Sequence, residues 1–185
     1  MITISPLFFV TLRGKRLSMR YGGVLPYAWV KGQPVLLLGR EMYLPRWDGS
    51  RRWAPFGGGV DPGEKPHRAA LREGYEETMG LFGTPRELAR KVDRKAWKHA
   101  GGLTLLLPVE YDKNIPAYFR NFFSYSQACK GRACPEGWYE KTHIRWVPLA
   151  RLDQMDLRPE FRSTLPQLRR RSCACTRSAP RRASA

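Results

Sequence analysis

At 185 residues, with 42% hydrophobic and 12% aromatic side chains, the chain is long enough for one domain with a real core and too apolar to be wholly disordered. Its formal net charge of +17 points to polyanionic partners such as nucleic acid, nucleotides or an acidic surface. No run approaches the ~18 apolar residues of a membrane span, and the short apolar run Pro6–Val10 lacks a basic leader and a small-residue cleavage site.

Residues 1–21 carry Arg13, Lys15, Arg16 and Arg20 and read as a leading strand or a loose extension. Gly23–Val30 reads as a strand, with Pro26 marking an edge or a bulge. Lys31–Pro34 is a turn, and the apolar run Val35–Arg40 is a buried strand. Met42–Arg52 is a loop. Trp53–Phe56 then leads into Gly57, Gly58 and Gly59. Three glycines permit φ > 0 and a close approach of backbone to phosphate; the plainer alternative is a flexible turn.

A helix follows. Pro66 suits its first turn, and Gly80 and Gly83 are stop signals. At roughly 100° per residue, Glu73, Glu76 and Glu77 share one face. Leu71, Gly74, Tyr75 and Thr78 fall on the other, which packs on a sheet. Arg72 pairs with Glu76 at i,i+4, but one arginine does not neutralise three acids. A hard divalent cation would, and oxygen-only ligands favour Mg²⁺ or Mn²⁺. Glu77 is expected to face that cation and not the core. The alternative is a solvated acidic face.

Thr84-Pro85-Arg86-Glu87 carries a helix-start signature. The segment to Lys98 holds Arg86, Arg90, Lys91, Arg94, Lys95 and Lys98, either a solvated face or a nucleic-acid surface. Gly102–Tyr111 is a strand. Ile115, Tyr118, Phe119, Phe122 and Phe123 form a helical stripe, buried on the sheet or serving as a base-stacking platform. Glu136, Trp138, Tyr139 and Glu140 precede a last strand, Thr142–Val147; the two aromatics can stack on a base. Arg158–Leu168 is a closing helix, with Phe161, Leu165 and Leu168 inward and Pro166 ending or kinking it early. Arg169–Ala185 carries six arginines and no acid and reads as a disordered basic tail; the rest of the chain keeps +11 of the +17. Cys129, Cys134, Cys173 and Cys175 match no common zinc spacing and read as reduced thiols of a cytosolic or nuclear protein.

The gapped pattern of Gly58, Glu64, Arg72-Glu73 and Glu76-Glu77 resembles the Nudix box over Gly57–Leu81. Two departures stand out. Gly74 occupies a place that the box gives to a bulky aliphatic, and Thr78 and Met79 both intervene before Gly80 where the box has one residue. The variant Arg-Glu-Gly-Tyr-Glu-Glu also looks like Nudix proteins of large DNA viruses. The resemblance implies an α/β protein, an α/β/α sandwich with a mixed sheet, spanning 22–168 between the extension 1–21 and the tail 169–185. It implies an intracellular pyrophosphohydrolase, in the host cell if viral, acting on a nucleoside diphosphate linked to another group; nucleotides and capped RNA are the substrates it brings forward. Glu73, Glu76 and Glu77 are its metal ligands and the Gly57 carbonyl a further one. Gly57, Gly58 and Glu64 shape the loop, Glu64 bracing it or taking a second metal. Arg72 locks the glutamates. The general base is open among Glu76, Glu136 and Glu140. Two readings of other classes are a binding module that has lost catalysis and a basic nucleic-acid-packaging protein.

Overall fold

The computed structural model describes residues 20–93, 96–99, 101–129 and 136–176, with backbone alone for 136 and 171–176. The order is β1 (Tyr21–Val30), β2 (Gln33–Glu41), β3 (Trp53–Ala54), β4 (Phe56–Gly59), α1 (Pro66–Glu77), α2 (Pro85–Lys91), β5 (Trp97–His99), β6 (Gly102–Pro108), α3 (Ile115–Ala128), β7 (Lys141–Pro148) and α4 (Pro159–Thr176). Short 3-10 turns, Glu136–Tyr139 and Leu149–Gln154, flank β7.

The seven strands form one mixed sheet ordered β3-β2-β1-β6-β5, with β4 also on β1 and β7 also on β2. Among the described strands, only β1 and β6 pair in parallel. Along one side of β1 the neighbour changes, from β4 opposite Tyr21–Val24 to β2 opposite Tyr27–Val30. Pro26 stands in that gap, so the proline sits in a central strand, in unbroken register with β6, where an edge or a bulge was expected. Val24, Leu103, Leu105 and Leu107 pack under Ala70 and Leu71 of α1 and Leu88 of α2. Leu37, Phe56 and Ile144 meet Phe119 of α3. Leu25, Leu36, Leu38 and Val147 point the other way, onto Phe161, Leu165 and Leu168 of α4. The expected α/β/α arrangement follows from this alternation.

Several expected boundaries move. The helix from Thr84 has its capping box but ends at Lys91. Asp93 N–H donates to the Leu106 carbonyl, and the chain returns as edge strand β5, with Trp97 buried. Pro166 lies inside α4, which runs past the expected tail boundary at 169 to Thr176. Leu165 and Leu168 are buried on either side of it, and Arg169 pairs with Asp153 at 2.5 Å. The remainder of the proposed tail lies outside the described residues, as do Cys134 and the side chains of Cys173 and Cys175. On α3, Phe119 is buried and Phe122 and Phe123 are half-buried against β7, whereas Tyr118 and Tyr125 face outward. No helix of the described residues is long and apolar enough to cross a membrane.

Both departures of the box have a packing reason. A Cβ on Gly74 would come within 2.6 Å of Val24 Cγ2, so Val24 fills the space an aliphatic at 74 would need. The extra residue before Gly80 is accommodated by two successive left-handed residues, Met79 at φ 51° and Gly80 at φ 72°. This drops the Met79 side chain into the core beside Leu37, Phe56 and Phe119. Gly74→Leu is therefore expected to destabilise the fold by about 1–3 kcal/mol through overpacking. Adding Val24→Ala recovers much of the loss. Urea unfolding of the single and double variants checks this; additive losses would contradict it.

Candidate active site

The glycine run is not a loose loop. It is strand β4, with Gly57, Gly58 and Gly59 opposite Gly23, Gly22 and Tyr21. None of the three has a positive φ. Their role is close approach, but to the protein's own groups: a Cβ on Gly58 would fall 2.6 Å from Glu73 Oε1, and one on Gly57 would strike the Tyr21 hydroxyl and Gly23 Cα. Gly63, at φ 80°, turns the chain so that Asp61 N–H donates to Glu64 Oε2 at 3.2 Å.

Helix α1 then places its acids. Arg72 is the hub, donating through Nη1 to Glu73 Oε1 at 2.8 Å and to Glu76 Oε2 at 3.2 Å. Through Nη2 it reaches Glu64 Oε2 at 3.0 Å and the Gly59 carbonyl at 3.1 Å. Its hydrogen bonds hold the Glu64 carboxyl below the ordinary range. Glu64 thus braces the loop from beneath the guanidinium, outside the acid trio described next.

Glu73 is 7% exposed and Glu77 is 1% exposed. One oxygen each from Glu73, Glu77 and Glu140 lies within 4.8 Å of the other two. This trio differs from the expected one. Glu140, just before β7, takes part; Glu76, whose carboxylate accepts from Arg72 at 3.2 Å, is not one of the three. Glu136 is placed only in its backbone, at the start of the 3-10 turn leading to Glu140. Gly57 enters through its amide, not its carbonyl, donating to Glu77 Oε2 at 2.5 Å.

Burial drives the electrostatics. It pushes Glu73 up to about 7, against the pull of Arg72. It also raises Glu77, against Lys141; Glu140, an exposed residue whose carboxyl is only partly desolvated, moves the same way. Three carboxylates that resist ionisation together, with oxygen as the only donor, fit a hard divalent cation.

The sequence reading did not find what holds Glu77. Lys141 is fully buried, with Nζ 3.2 Å from Glu77 Oε1 and 2.6 Å from Glu41 Oε1. Burial alone would lower the Lys141 ammonium, but Glu77 and Glu41 hold it above its usual value. Arg158 closes the chain with Nη1 3.1 Å from Glu41 Oε1. Glu77 therefore faces the core as well as the acid trio. The only signal in the sequence is a charge at the end of each of two apolar strands, and the Glu41–Lys141 pairing appears only once those strands are in register. Arg158 also lines a cavity of about 70 Å³ with Tyr21, Trp97, His99, Thr104 and Phe161. The Tyr21 hydroxyl reaches from that cavity toward Gly57.

The family model described as NUDIX domain matches residues 24–168. No curated protein sequence matches the chain significantly. Among solved structures, a Nudix hydrolase of M. smegmatis, RenU, is similar at 19% identity and TM-score 0.53, over 84% of this chain and 86% of that one. An Ap4A hydrolase of C. elegans, crystallised as a binary complex, is similar at 18% identity and TM-score 0.50, over 85% and 99%. These two likenesses concern the fold.

Two outcomes follow from the geometry. Lys141→Met takes the ammonium from buried Glu77 and leaves Glu41 with Arg158 alone, and is expected to cost about 3–5 kcal/mol. Glu77→Gln in the same chain should return part of this, giving a favourable coupling energy in urea unfolding; strict additivity would contradict it. For Glu73, the folded state holds a proton that the unfolded chain releases near its ordinary value of 4.5. Its contribution to stability is thus present below pH 4.5 and is lost as pH rises to about 7. In chelator, wild type should lose stability relative to Glu73→Gln across that window. Parallel melting curves for the two would contradict this.

Proposed function

Because this chain belongs to the NUDIX domain family and is a pyrophosphohydrolase, we propose that it uses Mg²⁺ or Mn²⁺, held by Glu73, Glu77 and Glu140, to hydrolyse a nucleoside diphosphate linked to a further group. The observation that carries this is the approach of three carboxylate oxygens to within 4.8 Å, two of them on residues almost closed to water. Such a cation, when bound, polarises phosphoryl oxygens and lowers the pKa of water.

The chain's own residues supply the rest. Arg72 fixes the carboxylates of Glu64, Glu73 and Glu76. Glu76, tied to Arg72 and outside the trio, is the carboxylate available to accept the proton of the attacking water.

Capped RNA and dinucleoside polyphosphates are the substrates this reading favours. The exposed Arg86, Arg90 and Lys91 of α2 and the arginine-rich C-terminal segment support a polyanionic substrate. The Arg-Glu-Gly-Tyr-Glu-Glu variant supports kinship with Nudix proteins of large DNA viruses. A binding module without catalysis is the second reading, but Glu64, Glu73, Glu76 and Glu77 are all present.

Purified full-length protein should be assayed on capped RNA, Ap4A, ADP-ribose and deoxynucleoside triphosphates with Mg²⁺. Turnover of at least one is expected, abolished by EDTA and restored by Mg²⁺ or Mn²⁺. Turnover that survives chelation would overturn the metal reading. Binding without turnover of any of the four would favour the binding module.

A further inference from the structure

The loop between β2 and β3 is joined to the acid trio through its backbone: Met42 N–H donates to the Glu140 carbonyl at 2.8 Å. The next residue, Tyr43, is 57% exposed. The guanidinium carbon of Arg51 lies over its ring, 4.5 Å from the centre, which covers one face and leaves the other open.

This loop is built, not slack. Leu44 N–H donates to Ser50 Oγ at 3.0 Å, Ser50 N–H to the Trp47 carbonyl at 3.0 Å and Arg52 N–H to the Gly49 carbonyl at 3.1 Å. Arg40 Nε holds the Arg51 carbonyl at 2.9 Å, and Trp47 lies under Arg158 at 5.1 Å. Within it, Arg46 at φ 63° and Arg51 at φ 61° adopt left-handed backbone. Glycine or asparagine takes that conformation with less strain. An arginine kept there retains a guanidinium at a conformational cost, which points to a use for the side chain. Among the described residues neither arginine pairs with a carboxylate, so structural ion pairing does not account for them.

We propose that Tyr43 and Arg51 are specificity-determining residues for a second nucleoside. Its base stacks on the open face of Tyr43, and Arg51 meets a phosphate that joins it to the scissile pyrophosphate. The inference rests on the hydrolase reading above and assigns residues to the second nucleoside of the substrates that reading favours. Stacking on an exposed ring accepts any base. A guanidinium held by a ring and by no acid keeps its N–H groups for phosphate. A loop already closed by its own hydrogen bonds loses little freedom on binding. The shared chemistry, two nucleosides joined by phosphates, belongs both to dinucleoside polyphosphates and to the 5′ end of an RNA.

The test compares full-length wild type with Tyr43→Ala, Tyr43→Phe and Arg51→Gln, all exposed positions. Hydrolysis of diadenosine tetraphosphate, of a capped oligoribonucleotide and of ATP is measured with Mg²⁺. Tyr43→Ala should lower kcat/KM for a two-nucleoside substrate, relative to ATP, by about tenfold. The change should fall in KM. Tyr43→Phe should keep the wild-type ratio, and Arg51→Gln should lower it. A fall confined to the dinucleotide or to the RNA identifies the source. An unchanged ratio for both in Tyr43→Ala overturns the proposal. Calorimetric affinities for the same three compounds, with Ca²⁺ in place of Mg²⁺, read the ratio without turnover. A protein that hydrolyses none of them, nor ADP-ribose or a deoxynucleoside triphosphate, overturns the hydrolase reading while this one is still decided by binding.

Discussion

The carboxylate of Glu77 has almost no contact with water, and its charge must be met from inside the fold. An isolated buried ion is costly, and removing one partner of a buried pair is strongly destabilising. Here the charge is met by a chain of ions: Glu77 to Lys141, Lys141 to Glu41, Glu41 to Arg158. The chain starts on α1, passes through the paired ends of β2 and β7, and finishes at the entrance to α4. It joins the helix layer that carries the acids to the layer on the opposite face of the sheet. With Gly57 donating to the other oxygen, Glu77 is held from two sides. The trio of Glu73, Glu77 and Glu140 takes its shape from this anchorage.

The glycines serve the same end. Gly58 lets the Glu73 carboxylate lie against β4, and Gly57 lets Tyr21 do so from the other face. Gly74 brings α1 down on Val24. The strand, the helix and the tyrosine approach more closely than side chains at these positions would permit. This proximity also explains the electrostatics. Glu73 is pushed up to about 7 because β4 and α1 leave its carboxylate little water. A cation that restored the lost solvation would favour the ionised form.

Much of this was legible in the sequence because local rules govern it. Pro66, the Thr84 cap and the short apolar runs place α1, the start of α2 and most of the strands. The acidic face of α1 follows from helical spacing alone. The order of the ligands was less legible, since Glu76 and Glu77 are equivalent on a helical wheel until the sheet is in place. Tertiary packing then turns Glu77 inward and leaves Glu76 to Arg72. Lys141, Glu41 and Arg158 were missed for a similar reason. A charge at the end of an apolar strand reads as solvated, and only the β2–β7 register shows that two such charges face each other. Strand β5 was missed because a basic run continued the helical composition beyond Lys91, while Asp93 had a backbone partner waiting on β6. Pro166, expected to end or kink the helix, does not end it: Leu165 and Leu168 on either side of it are buried.

The central claim is that Glu140 belongs to the cation site and Glu76 stands outside it. Mn²⁺ affinity, read by electron paramagnetic resonance or calorimetry on wild type, Glu140→Gln and Glu76→Gln, tests this directly. The account predicts a large loss of affinity in Glu140→Gln and a much smaller one in Glu76→Gln. Loss of Mn²⁺ binding in Glu76→Gln with near-normal binding in Glu140→Gln would contradict it.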